Sequence, residues 1–177
     1  MDNQEQIINR VAASTLVLFN LEEYYQPGER VLIDLKDQLH EGLILREKEF
    51  RQYVRSHNWQ TYTGKHVAIT CSADAIVPVW AFMLAAISAS PYARTVVTGS
   101  LADLEIHLYR QAFDKLDWSR FKDARVVIKG CSGHDLPPAV YAEAAARMRS
   151  VARSIMYGEP CSTVPLFKDT TGTEKKL

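Results

Sequence analysis

Short apolar strands separated by stretches long enough for a helix constrain this chain more than any other feature of its sequence. Residues 30–35, 66–70, 94–98, 125–129 and 154–157 each read as a strand, being short runs of mainly apolar or β-branched residues. Between them lie helical patterns over residues 46–57, 74–89, 100–115 and 135–152. Strands that alternate with helices of a dozen residues specify βαβ units and hence a mainly parallel sheet covered on both faces. The predicted fold is therefore α/β, a three-layer sandwich around a Rossmann-like sheet, with room for antiparallel edge strands from the N-terminal region.

Local signals place the boundaries. Ile7, Ile8 and Val11 recur at helical spacing over residues 3–13, Pro27-Gly28 marks a turn, and residues 42–45 read as a further short strand. Phe50 and Val54 face inward on the helix over residues 46–57. Ser100 caps the helix that follows residues 94–98, with Asp103 three residues on as a near capping box. Asp135 and Pro137 open the last helix. The helix over 74–89 is apolar almost all round (Ile76, Val77, Val79, Trp80, Phe82, Met83, Leu84, Ile87), so the pattern predicts that it is the most buried one. Its 177 residues suffice for one domain, read here as 1–167, with a frayed polar tail over 168–177.

Lys plus Arg and Asp plus Glu number 21 each. A balanced chain lacks the surplus of positive charge that nucleic acid or an anionic membrane selects, so neither is an expected partner. Asp2 and Glu5 stand where a secretion signal would be basic, and the longest apolar run, 75–87, is too short to span a bilayer and contains Pro78. The expected address is cytoplasmic, where thiols stay reduced.

That address matters because of the cysteines. Cys71, Cys131 and Cys161 each begin a Cys-Ser pair, and each falls just after a predicted strand. Ligands of open parallel sheets bind beyond the carboxyl ends of the strands, the edge where all three thiols would lie. If the strand over 94–98 sits on one side of 66–70 and the chain then crosses back, the three cysteine-bearing strands become neighbours. Three adjacent strand tips span roughly 10 Å, a gap that inward-leaning loops can close. Cys71 and Cys131 would also precede helix N-termini, where the dipole favours the thiolate. One free cysteine is usually a small buried hydrophobe, but three at equivalent strand ends ask for a common cause.

The site so predicted is a metal site of Cys71, Cys131 and Cys161. His134 is the favoured fourth ligand over Asp74 and Glu159, since imidazole joins thiolates on zinc; Asp74 and Asp135 read as helix caps. Three thiolates also suit an iron–sulfur cluster with an open corner. An enzyme with Cys131 or Cys71 as nucleophile and His134 as base is the second reading, and a non-catalytic interaction scaffold the third. His40, His57, His66 and His107 read as surface or packing residues, and residues 46–51 as a solvated helix face. No dinucleotide or Walker-type loop is present.

Four segments carry a family resemblance: Gly42-Leu43-Ile44-Leu45-Arg46-Glu47-Lys48-Glu49-Phe50-Arg51; Thr70-Cys71-Ser72 with Asp74-Ala75-Ile76-Val77-Pro78; Ile128-Lys129-Gly130-Cys131; and Ser154-Ile155-Met156-Tyr157-Gly158-Glu159-Pro160-Cys161-Ser162. In these the chain resembles the domain-of-unknown-function family 2480, which has no established activity. Genes of that family tend to lie beside the SUF machinery for iron–sulfur cluster assembly. The resemblance thus implies a role near that pathway, with iron–sulfur assembly proteins as partners.

Overall fold

A computed structural model describes residues 16–130, 133–159 and 161–169. The helix expected over residues 3–13 lies outside them. Among the described residues, four helices and two sheets make up a mixed α/β fold whose strands are mostly parallel, with one antiparallel pair. The chain divides into two compact units, one of residues 26–112 and one that joins the N-terminal residues up to Tyr25 with those from Phe113 onward.

In the unit of residues 26–112, β2 (Arg30–Asp34), β3 (His66–Thr70) and β4 (Thr95–Thr98) form a parallel sheet in that order. The central strand is buried from His66 to Ile69, as expected of a strand covered on both faces. Alternation sorts its side chains. Val67 and Ile69 join Ile33, Leu35, Phe50 and Trp59 in one cluster with α1 (Glu47–Ser56) and α2 (Val79–Ala89). Ala68 packs instead with Leu104 and Leu108 of α3 (Leu101–Asp114) and with Val97. Helix, sheet and helix are the three layers. The cap at Ser100 is reciprocal: Ser100 N and Oγ donate to Asp103 Oδ2, each at 2.7 Å, and Asp103 N donates to Ser100 Oγ at 3.2 Å. The expected strand over residues 42–45 reduces to isolated bridges at Ile44.

One expectation fails on α2 and another holds only in part. It begins at Val79 and not near Asp74, because a residue before proline is steered away from helical geometry and Pro78, at ψ 141°, still has extended backbone. Nor is it covered all round, although a smaller share of its residues is exposed than in any other helix among the described residues. Ala81, Ala85 and Ala89 are fully buried, while Val79, Met83 and Ile87 are 74%, 59% and 66% exposed. Alanines at i, i+4 and i+8 let the helix lie close to its neighbours on that face, and the larger side chains take the other. Trp80 is half-buried, edge-on to Phe50 at 5.8 Å.

In the other unit, β1 (Leu16–Phe19), β5 (Arg125–Ile128) and β6 (Ser154–Glu159) run parallel in that order, and β7 (Ser162–Lys168) closes the edge antiparallel to β6. The antiparallel strand thus comes from the C-terminal side; the N-terminal strand β1 is parallel. Val126, Val127 and Ile128 are buried, as are Val140, Ala144 and Met148 at helical spacing on α4 (Pro138–Met148). Phe19 gathers Tyr24, Phe113, Trp118 and Phe121 around it at ring-centroid distances of 4.9–6.2 Å.

This topology corrects the strand order expected from the cysteines. Both edges of β3 are taken, by β2 and β4, so β5 is not its neighbour. The cysteine-bearing strands β5 and β6 do lie side by side, but the one leading to Cys71 belongs to the other sheet.

Candidate metal centre

Cys131 lies outside the described residues, so its surroundings are read from Gly130 and Gly133. Gly130 follows β5 and meets β6 closely: a Cβ built on it would lie 3.1 Å from the Tyr157 ring and 3.3 Å from Gly158 Cα. A side chain there would be tightly packed, and its neighbours would have to give by a few tenths of an ångström. Tyr157 Oη also donates to Gly130 O at 3.4 Å. On the far side of the loop, Gly133 N donates to the Glu22 carboxylate, and that bond, ahead of opposing desolvation and the charge of Lys129, holds the Glu22 carboxyl below its ordinary range. Next to it, the His134 ring stacks on Tyr25 with centroids 3.9 Å apart and planes within 10°. The loop that carries His134 is therefore anchored at Glu22 and Tyr25.

Cys161 is exposed and sits immediately before Ser162, the first residue of β7, where Glu159 and Ser162 face each other across the β6–β7 ladder. Glu159 Oε1 is buried and has no hydrogen-bond partner among the described residues. Buried carboxylate oxygens are rarely left so, because losing hydration without a replacement donor is costly. The orphaned oxygen lies two residues from a thiol, and a coordinated cation would satisfy it. Among the described residues no three His, Cys, Asp or Glu side chains are already gathered as a ligand set.

Cys71 is placed differently. It is half-buried at the end of β3, packs against the cluster that α1 and α2 share, and its Sγ is 3.9 Å from Ala73 O. The turn after it is tied to β2: Ser72 N and Oγ donate to Asp34 at 3.0 and 2.5 Å, and Lys36 N donates to the same carboxylate at 3.0 Å. Burial raises the Asp34 pKa, but the bonds from Ser72 and Lys36 outweigh it and bring it down to about 2. A carboxyl with a depressed folded pKa stabilises the fold above its unfolded value near 3.8 and loses that contribution as pH falls toward 2. Allowing for solvent screening, about 1–2 kcal/mol is at stake. Thermal unfolding followed between pH 4 and 2 should show this acid loss, and Asp34→Asn should flatten it.

The dipole argument for these thiols does not survive. Helices α2 and α4 start at Val79 and Pro138, seven or more residues beyond Cys71 and Cys131, and the dipole acts only within a turn or so of the terminus. Asp74 and Asp135 are not caps either, since Pro78 and Pro137 occupy those positions without side-chain cap bonds. His66 is a packing residue, 2% exposed, with its ring nitrogens 3.2 Å from Thr95 Oγ1 and Pro27 O. The charged segment opening α1 is a solvated face, with Arg51–Glu47 and Arg46–Glu49 pairs at 2.8 and 3.3 Å. Glu22, Tyr25 and Tyr157 were not foreseen from sequence; nothing near them in the chain points to the loop that they hold.

A family model described as "Protein of unknown function (DUF2480)" matches residues 5–169. The chain belongs to that family. No curated protein and no solved structure matches it. In this DUF2480 member the matched region takes in Cys71, Cys131, His134, Glu159 and Cys161. No helix among the described residues is long and apolar enough to cross a membrane.

Proposed function

We propose that this protein binds a transition metal, as zinc or within an iron–sulfur cluster, through Cys131, Cys161 and His134, with Glu159 completing the donor set. The observation that carries the reading is the orphaned Glu159 Oε1, two residues before Cys161 in the chain. The pairing of β5 with β6, and the close approach of Gly130 to Gly158, support it by bringing together the two backbones that lead to Cys131 and Cys161. Thiolates are soft ligands that select zinc or iron–sulfur centres over magnesium and calcium, and imidazole suits the same metals. The exposure of Cys161 fits a centre open to exchange with iron–sulfur assembly proteins, the partners that the family resemblance implies.

Anaerobic purification followed by metal analysis and a visible spectrum tests this. Stoichiometric metal is expected, with occupancy falling at least tenfold in Cys131→Ser and Cys161→Ser and to a lesser degree in His134→Ala. Cys71→Ser defines the donor set: retention confines it to the residues named above, and loss adds Cys71. Protein that carries no stoichiometric metal, and takes up none on reconstitution with zinc or with iron and sulfide, would end the reading.

A further inference from the structure

A second feature of the unit that carries β5, β6 and β7 lies at the other end of its parallel strands, away from the cysteines. There a cavity of about 470 Å³ opens between the start of β5 and β6 and the end of β7. Arg125, Ser154 and Lys168 stand in one row across the three strands, Arg125 paired with Ser154 and Ser154 with Lys168. Neighbouring strands are about 4.8 Å apart, so the backbones of the two cations are roughly 10 Å from each other. Arg153, just before β6, adds a third cation to the lining. Met156, Pro165 and Phe167 supply its apolar surface, and the Arg149 guanidinium lies 3.8 Å from the centroid of the Phe167 ring.

The charge pattern is unbalanced in a chain with no net charge. Among the described residues no carboxylate lines the cavity, and none of Arg125, Arg153 and Lys168 is in an ion pair. Three like charges around one hollow repel each other, and an anion between them would turn that repulsion into attraction. Guanidinium groups present paired N–H donors that match carboxylate and phosphate oxygens. A bare inorganic anion would leave the apolar part of the lining unused, whereas the volume falls within the range of small-ligand sites.

We propose that this cavity is a binding site for a small organic anion, a carboxylate or phosphate monoester carried on a flat apolar body. The anionic group sits among Arg125, Arg153 and Lys168, and the body lies against Met156, Pro165 and Phe167. The site uses none of the metal-binding residues, so it stands or falls independently of the metal reading.

Titration of the full chain with 1-naphthyl phosphate and with 1-naphthoate tests the proposal, using 1-naphthol and inorganic phosphate as the two half-ligands. One saturable site is expected, binding an anionic naphthalene at least tenfold more tightly than either half-ligand and weakening with added salt. The tighter of the two anions identifies the headgroup. The double variant Arg125→Ser with Lys168→Ser should weaken binding at least tenfold, while Cys161→Ser should leave it intact. Both altered cations are exposed, and circular dichroism of the variant checks that its fold is retained. Absence of saturation, equal binding of 1-naphthol, or unchanged affinity in a folded double variant would each overturn the proposal.

Discussion

Phe113→Ala is expected to destabilise the protein by about 3–5 kcal/mol, the usual range for removing a fully buried aromatic ring. Phe113 is completely buried and sits in a set of packed rings. Phe19 lies 6.2 Å from it, Trp118 packs edge-on at 5.6 Å, and Tyr24 does so at 6.0 Å. The Arg147 guanidinium covers it at 5.9 Å, held in place by Asp114 and Glu143 at 2.6 and 2.7 Å. The substitution keeps the backbone carbonyl that accepts from Trp118 Nε1 at 3.0 Å, so the loss is one of packing. For a chain of this size the change should lower Tm by roughly 10 °C or more. Urea unfolding should show a shifted midpoint with a similar slope. Phe113→Leu, which refills much of the volume, should cost less than half as much. Equal costs for the two variants would mean that the ring stacking itself, and not the volume, carries the effect.

The elements that sequence reasoning recovered are those whose pattern is set by their own residues. β3 is a continuous apolar run because both its faces are covered, and α3 announces itself through Ser100 and Asp103. What it missed depends on partners far away in the chain. β1 is four residues long and becomes a strand by pairing with β5, more than a hundred residues later. β7 contains Pro165, which argues against a strand unless the strand lies at an edge; β7 does, and Pro165 pairs with Met156 beside the irregularity at Ile155/Met156. α2 was misjudged because an all-apolar helix has no polar face to show its orientation, and the signal was the size alternation of its alanines.

The candidate site divides along the same line. That the cysteines follow strands was legible, since strand ends are local. Strand order was not, because β5 could have joined β3 or β1 with equal local propensity, and only the assembled sheets decide between them. The contact that anchors the His134 loop joins Gly133 to Glu22 across 111 residues, and no periodicity carries such information. The basic row of Arg125, Ser154 and Lys168 escaped for the same reason, since balanced totals conceal a charge cluster that only the ladder assembles.

Gly158 joins the fold to the proposed metal centre, and replacing it should affect both. Its φ of +123° is one that side-chain-bearing residues rarely adopt, and a Cβ built there would lie 2.5 Å from Ser162 O. That oxygen is backbone in the strand paired with β6, so it cannot swing aside as a flexible side chain would. Backbone strain of about 1–3 kcal/mol and steric overlap of similar size add together, so Gly158→Ala is expected to cost about 2–6 kcal/mol. The turn between β6 and β7 must open to relieve the overlap, which displaces Glu159 and Cys161 while the distant ring cluster around Phe19 and Phe113 keeps its packing. Backbone amide exchange should therefore rise first along residues 158–164, with smaller changes on β1 and β5. Metal occupancy should fall in parallel, even though no proposed ligand has been altered. Should Gly158→Ala retain wild-type stability and slow exchange at these amides, the turn must adopt a different backbone path, and the placement of Cys161 beside Glu159 would have to be abandoned with it.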